Sequence, residues 1–169
     1  MTAEAAAARG LRSKGGRAPH HETERDETEM GRDEWPADFA VTQVRLARPT
    51  DKLEEVVGFY RDALGLRVLG SFEGHAGYDG VMLGLPGARY HLEFTRRAGG
   101  GPCPAPTRDN LLVFYVDDPA GFARAVARLR SRGHEPVEPE NPYWAARGVT
   151  FADPDGWRVV LMNTAGIAG

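Results

Sequence analysis

The 169-residue chain is long enough for one domain with a real hydrophobic core and too short for two ordinary ones. Its 41% hydrophobic and 27% charged content is that of an ordinary globular protein, and a formal net charge of -3 offers nucleic acid phosphates no broad attraction, so no nucleic acid partner is expected. A single cysteine, Cys103, excludes an internal disulfide framework, and no stretch approaches the roughly 18 consecutive apolar residues a membrane span requires.

The first 36 residues are rich in Ala, Gly, Arg, Glu and Asp, with hardly any large apolar side chain before Trp35. They cannot bury enough surface to offset the entropy of ordering and read as a disordered tail. His20 and His21 within it lack a further fixed ligand, and Met30 is a second candidate start. No apolar core of a secretory signal is visible, so a cytoplasmic location is expected. The folded part is read as residues 37–165, with 166–169 a C-terminal tail.

From Phe39 onward Val41, Gln43, Arg45 and Ala47 alternate with Thr42, Val44 and Leu46, the period of a strand with two different faces. Asp51 stands three residues before Glu54 as a capping pair, and Leu53, Val56, Val57, Tyr60 and Leu64 recur at helical spacing until Gly65. Residues 66–72, 80–85 and 89–95 read as three further strands, separated by turn-forming segments at 74–79 and 86–87. Module one, residues 39–97, is therefore β-α-β-β-β.

After a Gly/Pro-rich linker at 98–109, which holds Cys103, the order restarts. Residues 111–116 read as a strand; Asp118 caps a helix with Pro119 at its first position, and Phe122, Val126 and Leu129 line its apolar face until Gly133. Residues 135–137, 149–152 and 157–162 supply three more strands, with Asp153-Pro154-Asp155-Gly156 as the tight turn before the last. This is module two, residues 110–163. The capping residues Asp51 and Asp118 lie 67 apart, and the terminating glycines Gly65 and Gly133 lie 68 apart. So constant an offset indicates duplication. The expected fold is α+β: two βαβββ modules forming a curved mixed sheet around a cleft.

The run Gly58-Phe59-Tyr60-Arg61-Asp62-Ala63-Leu64-Gly65-Leu66, Val116-Asp117-Asp118 and Asp153-Pro154-Asp155-Gly156 resemble the vicinal oxygen chelate (VOC) superfamily over residues 39–163. That group holds glyoxalase I, extradiol dioxygenases, fosfomycin-modifying enzymes and bleomycin resistance proteins, and the resemblance implies the glyoxalase-like fold. Tyr78-Asp79-Gly80-Val81-Met82, His91-Leu92-Glu93-Phe94, Asn141-Pro142-Tyr143-Trp144 and Asp155-Gly156-Trp157-Arg158 look like its YycE-like bacterial branch. Metal-dependent members carry His or Gln on strand one, Glu on strand four, His on strand five and Glu on strand eight. Here those positions read Arg45, Glu93, Leu111 and Val160, so the resemblance implies a dismantled metal site, and no cofactor is expected. The resemblance also implies a homodimer, since related proteins often complete their clefts or cover sheet edges between chains.

Strand alternation places Gln43, Arg45, His91, Glu93, Tyr115, Arg158 and Met162 on the cleft side, and Val44, Leu46, Leu92, Phe94, Leu112, Phe114, Val159 and Leu161 toward the helices. His91 and Arg158 differ by 67, as do Glu93 and Val160, so the two halves are expected to converge across a pseudo-twofold. Two inward guanidiniums meet one inward carboxylate. Either Arg45 or Arg158 pairs with Glu93 as a purely structural contact, or the unpaired one receives a carboxylate or phosphate on a small ligand. Tyr143 and Trp144 are candidates for an aromatic lid over the ligand. If there is catalysis, His91 is the best general acid or base, with Glu93 the alternative.

No Gly-x-Ser-x-Gly elbow, phosphate loop or dinucleotide fingerprint occurs. The leading expectation is a metal-independent small-molecule binding protein of the resistance or sequestration kind. The alternative is a metal-dependent lyase, isomerase or dioxygenase that holds Zn, Ni, Mn or Fe through His91 and Glu93, with Gln43 as a third donor. A third reading is an interaction scaffold with a filled cleft.

Overall fold

A computed structural model describes residues 39–85 and 87–167, so the tail read at 1–36 lies outside the described residues. From Val41 onward the chain is one compact unit. In chain order it comprises β1 (Val44–Pro49), α1 (Leu53–Gly58), β2 (Arg67–His75), β3 (Tyr78–Gly84), β4 (Tyr90–Arg97), β5 (Leu111–Tyr115), α2 (Pro119–Ser131), β6 (Gly148–Ala152) and β7 (Arg158–Met162). A π-helical turn, Phe59–Ala63, continues α1, and a 3-10 turn, Pro142–Ala145, precedes β6.

The duplication is visible in the pairing. In module one β1 runs parallel to β4, which pairs antiparallel with β3, and β3 with β2, giving the order β1-β4-β3-β2. In module two β5 runs parallel to β7, which pairs antiparallel with β6, giving β5-β7-β6. Each module thus closes its first strand against its last. The strand read at 135–137 shrinks to a single bridge, Pro136 to Phe151, because proline has no N–H to donate to a ladder.

Local chemistry explains the other departures from the expected elements. The first strand begins at Val44, not Phe39. Asp51 does not cap α1: Lys52 holds the N-cap position without a side-chain cap, its own N–H donates to Thr50 Oγ1 at 2.9 Å, and Glu54 is drawn away to Arg96. The helix does not run unbroken to Gly65, because α1 widens into the π turn, where Leu64 N–H reaches back to the Phe59 carbonyl at 3.0 Å. The turn expected over 74–79 tightens to Ala76-Gly77, both left-handed, at φ 50° and 83°. That geometry suits the twist of a two-residue hairpin and leaves Tyr78 and Asp79 inside β3. In module two Asp118 does cap α2, accepting from Ala120 N–H at 3.0 Å and Gly121 N–H at 2.8 Å, with Pro119 in the first turn.

One core serves both modules. Val56, Phe59, Tyr60, Leu83, Leu92 and Phe94 from the first pack with Leu129, Phe151, Val159 and Leu161 from the second. The helices are joined by Arg128 of α2, which donates to the carbonyls of Ala63 and Leu64 at 2.8 and 2.6 Å. These carbonyls end the π turn and have no helical partner, so the guanidinium satisfies groups that would otherwise be stranded. Among the described residues, no helix is long and apolar enough to cross a membrane.

Candidate functional site

The parallel register sets Arg45 beside His91, and Glu93 follows two residues on along the same face of β4. Arg45 Nε donates to His91 Nε2 at 2.9 Å and Nη1 donates to Glu93 Oε1 at 3.1 Å. His91 and Glu93 are buried, while the Arg45 side chain is half exposed and lies over them. Because His91 Nε2 accepts, its proton sits on Nδ1, which is buried without a protein acceptor. The cleft-side trio read from alternation is therefore a single hydrogen-bonded cluster.

Its chemistry does not suit a divalent cation. Both donors of the would-be centre are already engaged by one guanidinium, which would repel a metal. Gln43 is exposed and lies before β1 starts, and among the described residues no three His, Cys, Asp or Glu side chains gather in a metal-binding arrangement.

The next residue but two, Arg48, belongs to the opposite face of β1 and was not anticipated. It is buried, donating through Nη2 to Asp153 Oδ2 at 2.5 Å and through Nη1 to the Tyr60 hydroxyl at 3.3 Å. The Tyr60 hydroxyl in turn donates to Asp153 Oδ2 at 3.0 Å, and the other carboxylate oxygen accepts the N–H groups of Asp155 and Trp157. The Arg48 guanidinium carbon lies 4.6 Å from the Trp157 ring centre, 4.9 Å from Phe94 and 5.7 Å from Tyr60. This is a desolvated ion pair inside an aromatic cage, tying strand one of module one to the last turn of module two. Burial, followed by the Asp153 charge, pushes the Tyr60 hydroxyl well above the ordinary phenol range, so it stays protonated as a donor.

Beside this pair opens a slot of about 40 Å3 lined by Leu46, Arg48, Tyr60, Leu92, Phe94, Leu111, Leu112, Trp157 and Arg158. Arg158, level with Leu111 in the β5–β7 ladder, is half-buried there, and its Nε and Nη1 are buried without a hydrogen-bond partner. Arg48 Nε shares that condition.

The expected convergence of the two halves is thus corrected. Arg158 shares a slot with Leu46 and Arg48, residues of the β1 phase opposite to Arg45, and has no hydrogen bond to the Arg45–His91–Glu93 cluster. A repeat offset fixes equivalent places in two modules; it does not make the corresponding faces meet. The helix-facing phase also departs from a pure core, because Val44 and Leu46 are 55% and 51% exposed on the edge strand β1.

The remaining site candidates scatter. Met162 is buried, and a side chain at Gly148 would strike its Sδ and the Trp144 carbonyl, so the Pro142–Ala145 turn packs against the start of β6. Trp144 is half-buried and stands edge-on to the exposed Tyr143 at 5.0 Å, their turn held by Asn141 Oδ1 accepting the Tyr143 N–H. Neither lines the slot. Tyr115 is 41% exposed, with Gly166 against its ring. The residues missed by sequence reasoning are Arg48, Tyr60, Asp153 and Trp157. The available signal was an arginine in the apolar phase of β1, two places after Leu46.

Residues 44–95 match the YycE-like N-terminal domain and residues 109–163 the YycE-like C-terminal domain. The sequence is 52% identical over 131 residues to "Uncharacterized protein YycE" of Bacillus subtilis (strain 168), spanning 78% of this chain and 94% of that protein. The fold is similar to a crystal structure of a Bacillus subtilis YycE protein, with TM-score 0.74, 51% identity and coverage of 79% of this chain and 97% of that one. It is also similar to glyoxalase I of Leishmania major (TM-score 0.56, 20% identity, 74% and 88% covered), a likeness of fold alone. A third similar structure is TnmS3, an antibiotic binding protein from Streptomyces sp. CB03234 (TM-score 0.53, 26% identity, 73% and 96% covered). The architecture is glyoxalase-like.

Proposed function

We propose, from the premise that this chain belongs to the YycE-like family, that it is a metal-independent small-molecule binding protein whose ligand presents an anionic group to Arg158. One observation carries this reading. Of the two cleft arginines read from the sequence, Arg45 is neutralised by Glu93, whereas two Arg158 nitrogens are buried with no acceptor. Buried guanidinium nitrogens without an acceptor are costly, and an anionic ligand supplies charge and lone pairs together. The arrangement suits binding better than turnover: the His91 Nε2 lone pair is occupied by Arg45, and no activated nucleophile stands beside the cluster among the described residues. The antibiotic binding protein TnmS3, of the same fold, is a precedent for the binding role.

The test is isothermal titration of tag-free protein with a panel of small carboxylates, phosphates and anionic antibiotics, with and without chelator. Binding that survives chelator and is lost in Arg158→Ala but kept in Arg45→Ala supports the reading. A requirement for one Zn, Ni, Mn or Fe per chain, or binding indifferent to Arg158, overturns it.

A further inference from the structure

The slot beside Arg158 is narrow, and its dimensions and charge restrict what it can accept. About 40 Å3 is room for two or three heavy atoms, on the scale at which a single water needs some 10–15 Å3. Both arginines that line it carry guanidinium nitrogens buried without a hydrogen-bond partner among the described residues, Nε and Nη1 of Arg158 and Nε of Arg48. Their charges are not equal. Arg48 is already balanced by Asp153, and no acidic side chain pairs with Arg158 among the described residues, so the slot carries one uncompensated positive charge. The rest of its wall is aliphatic and aromatic: Leu46, Leu92, Leu111, Leu112 and Trp157. Leu46, half exposed, marks the mouth.

We infer that this slot is a monocarboxylate site, in which a planar carboxylate seats against Arg158, beside Arg48, while an aliphatic tail leaves along Leu46. The inference rests on the proposed binding role and deepens it by naming the ligand class and adding Arg48 as a specificity determinant. A planar carboxylate matches the guanidinium fork edge to edge and brings a single negative charge. A phosphate is tetrahedral, larger, and near neutral pH carries a second charge that the slot leaves uncompensated in apolar surroundings. Leu46 at the mouth adds affinity for each methylene of the tail that it removes from water, by up to about threefold to fourfold.

Titration of the full chain with acetate, hexanoate and inorganic phosphate tests this, alongside Arg158→Met and Leu46→Trp. Hexanoate is expected to bind more tightly than acetate, phosphate not at all over the same range, and Arg158→Met to weaken both carboxylates about tenfold or more. Leu46→Trp, a substitution at the half-exposed mouth, is expected to weaken hexanoate more than acetate, and it decides the matter if Arg158→Met fails to fold. Phosphate binding that depends on Arg158, with no response to carboxylates, overturns the carboxylate assignment and leaves the binding role intact. Carboxylate binding unchanged in both variants overturns the slot as the site. No binding by any anion, in the panel or here, brings down both readings.

Discussion

At the scale of single residues the molecule depends most on Arg48. Its charge is removed from water, and what surrounds it is one carboxylate, the Tyr60 hydroxyl and three rings, that of Tyr60 among them. Breaking a buried pair from one side strands the other charge, so Arg48→Met or Asp153→Asn is expected to destabilise by about 3–5 kcal/mol, read from urea denaturation midpoints. Arg48→Lys should recover only part of this, because an ammonium lacks the planar fork that reaches Asp153 and Tyr60 together. Asp155, next to this pair, behaves differently. Burial raises its carboxyl above the ordinary aspartate range despite the hydrogen bond from Thr50, and Oδ2 is left without a partner. A raised acid means that the folded state holds its proton more tightly than the unfolded chain, so stability falls as pH rises from the ordinary aspartate value through the folded one. Asp155→Asn is therefore expected to gain stability relative to the parent across that window and to hold the gain at neutral pH. Thermal melts at acid and neutral pH check the sign.

At the scale of elements the two helices begin by different means, and substitution should reveal it. Asp118→Ala removes the cap of α2, losing acceptors for two N–H groups, and should cost about 1 kcal/mol. Asp51→Ala should change thermal stability by less than about 0.5 kcal/mol, because Asp51 accepts no capping bond from the first turn of α1. The contrast explains what could be read in advance. Asp118 is followed by proline and a clean apolar stripe, so local chemistry and global packing agree. At Asp51 three polar residues stand in a row, Thr50, Asp51 and Lys52, and periodicity cannot choose among them. Likewise the odd phase of β1 and β4 made the Arg45–Glu93 pair legible, since alternation fixes sides within one sheet. Arg48 escaped because its partners, Tyr60 and Asp153, lie 12 and 105 residues away in other elements, and no local period encodes such contacts.

At the scale of the whole molecule both sheets end in open strands. No described strand pairs with the outer edge of β1 or of β5, and Val44 and Leu46 on β1 are half exposed. Open apolar edges invite pairing, so sedimentation velocity is expected to show a homodimer that Val44→Lys weakens. That the fold was foreseeable and the site only half so has one cause. Duplication repeats an order of elements, which the chain displays at a near-constant offset, whereas the relative setting of two modules depends on a few long-range side-chain contacts.

The stacking of Arg48 on Trp157 gives the molecule an intrinsic optical gauge. The chain has three tryptophans, and with Trp35 and Trp144 changed to phenylalanine the remaining indole would emit from the seam between the modules, 4.6 Å from a fixed cation. Any event that parts the seam, from solvent entry to the seating of an anion beside Arg158, must alter that ring's electrostatic surroundings and hence its emission spectrum. Opening of the seam could then be followed in real time on the unlabelled protein.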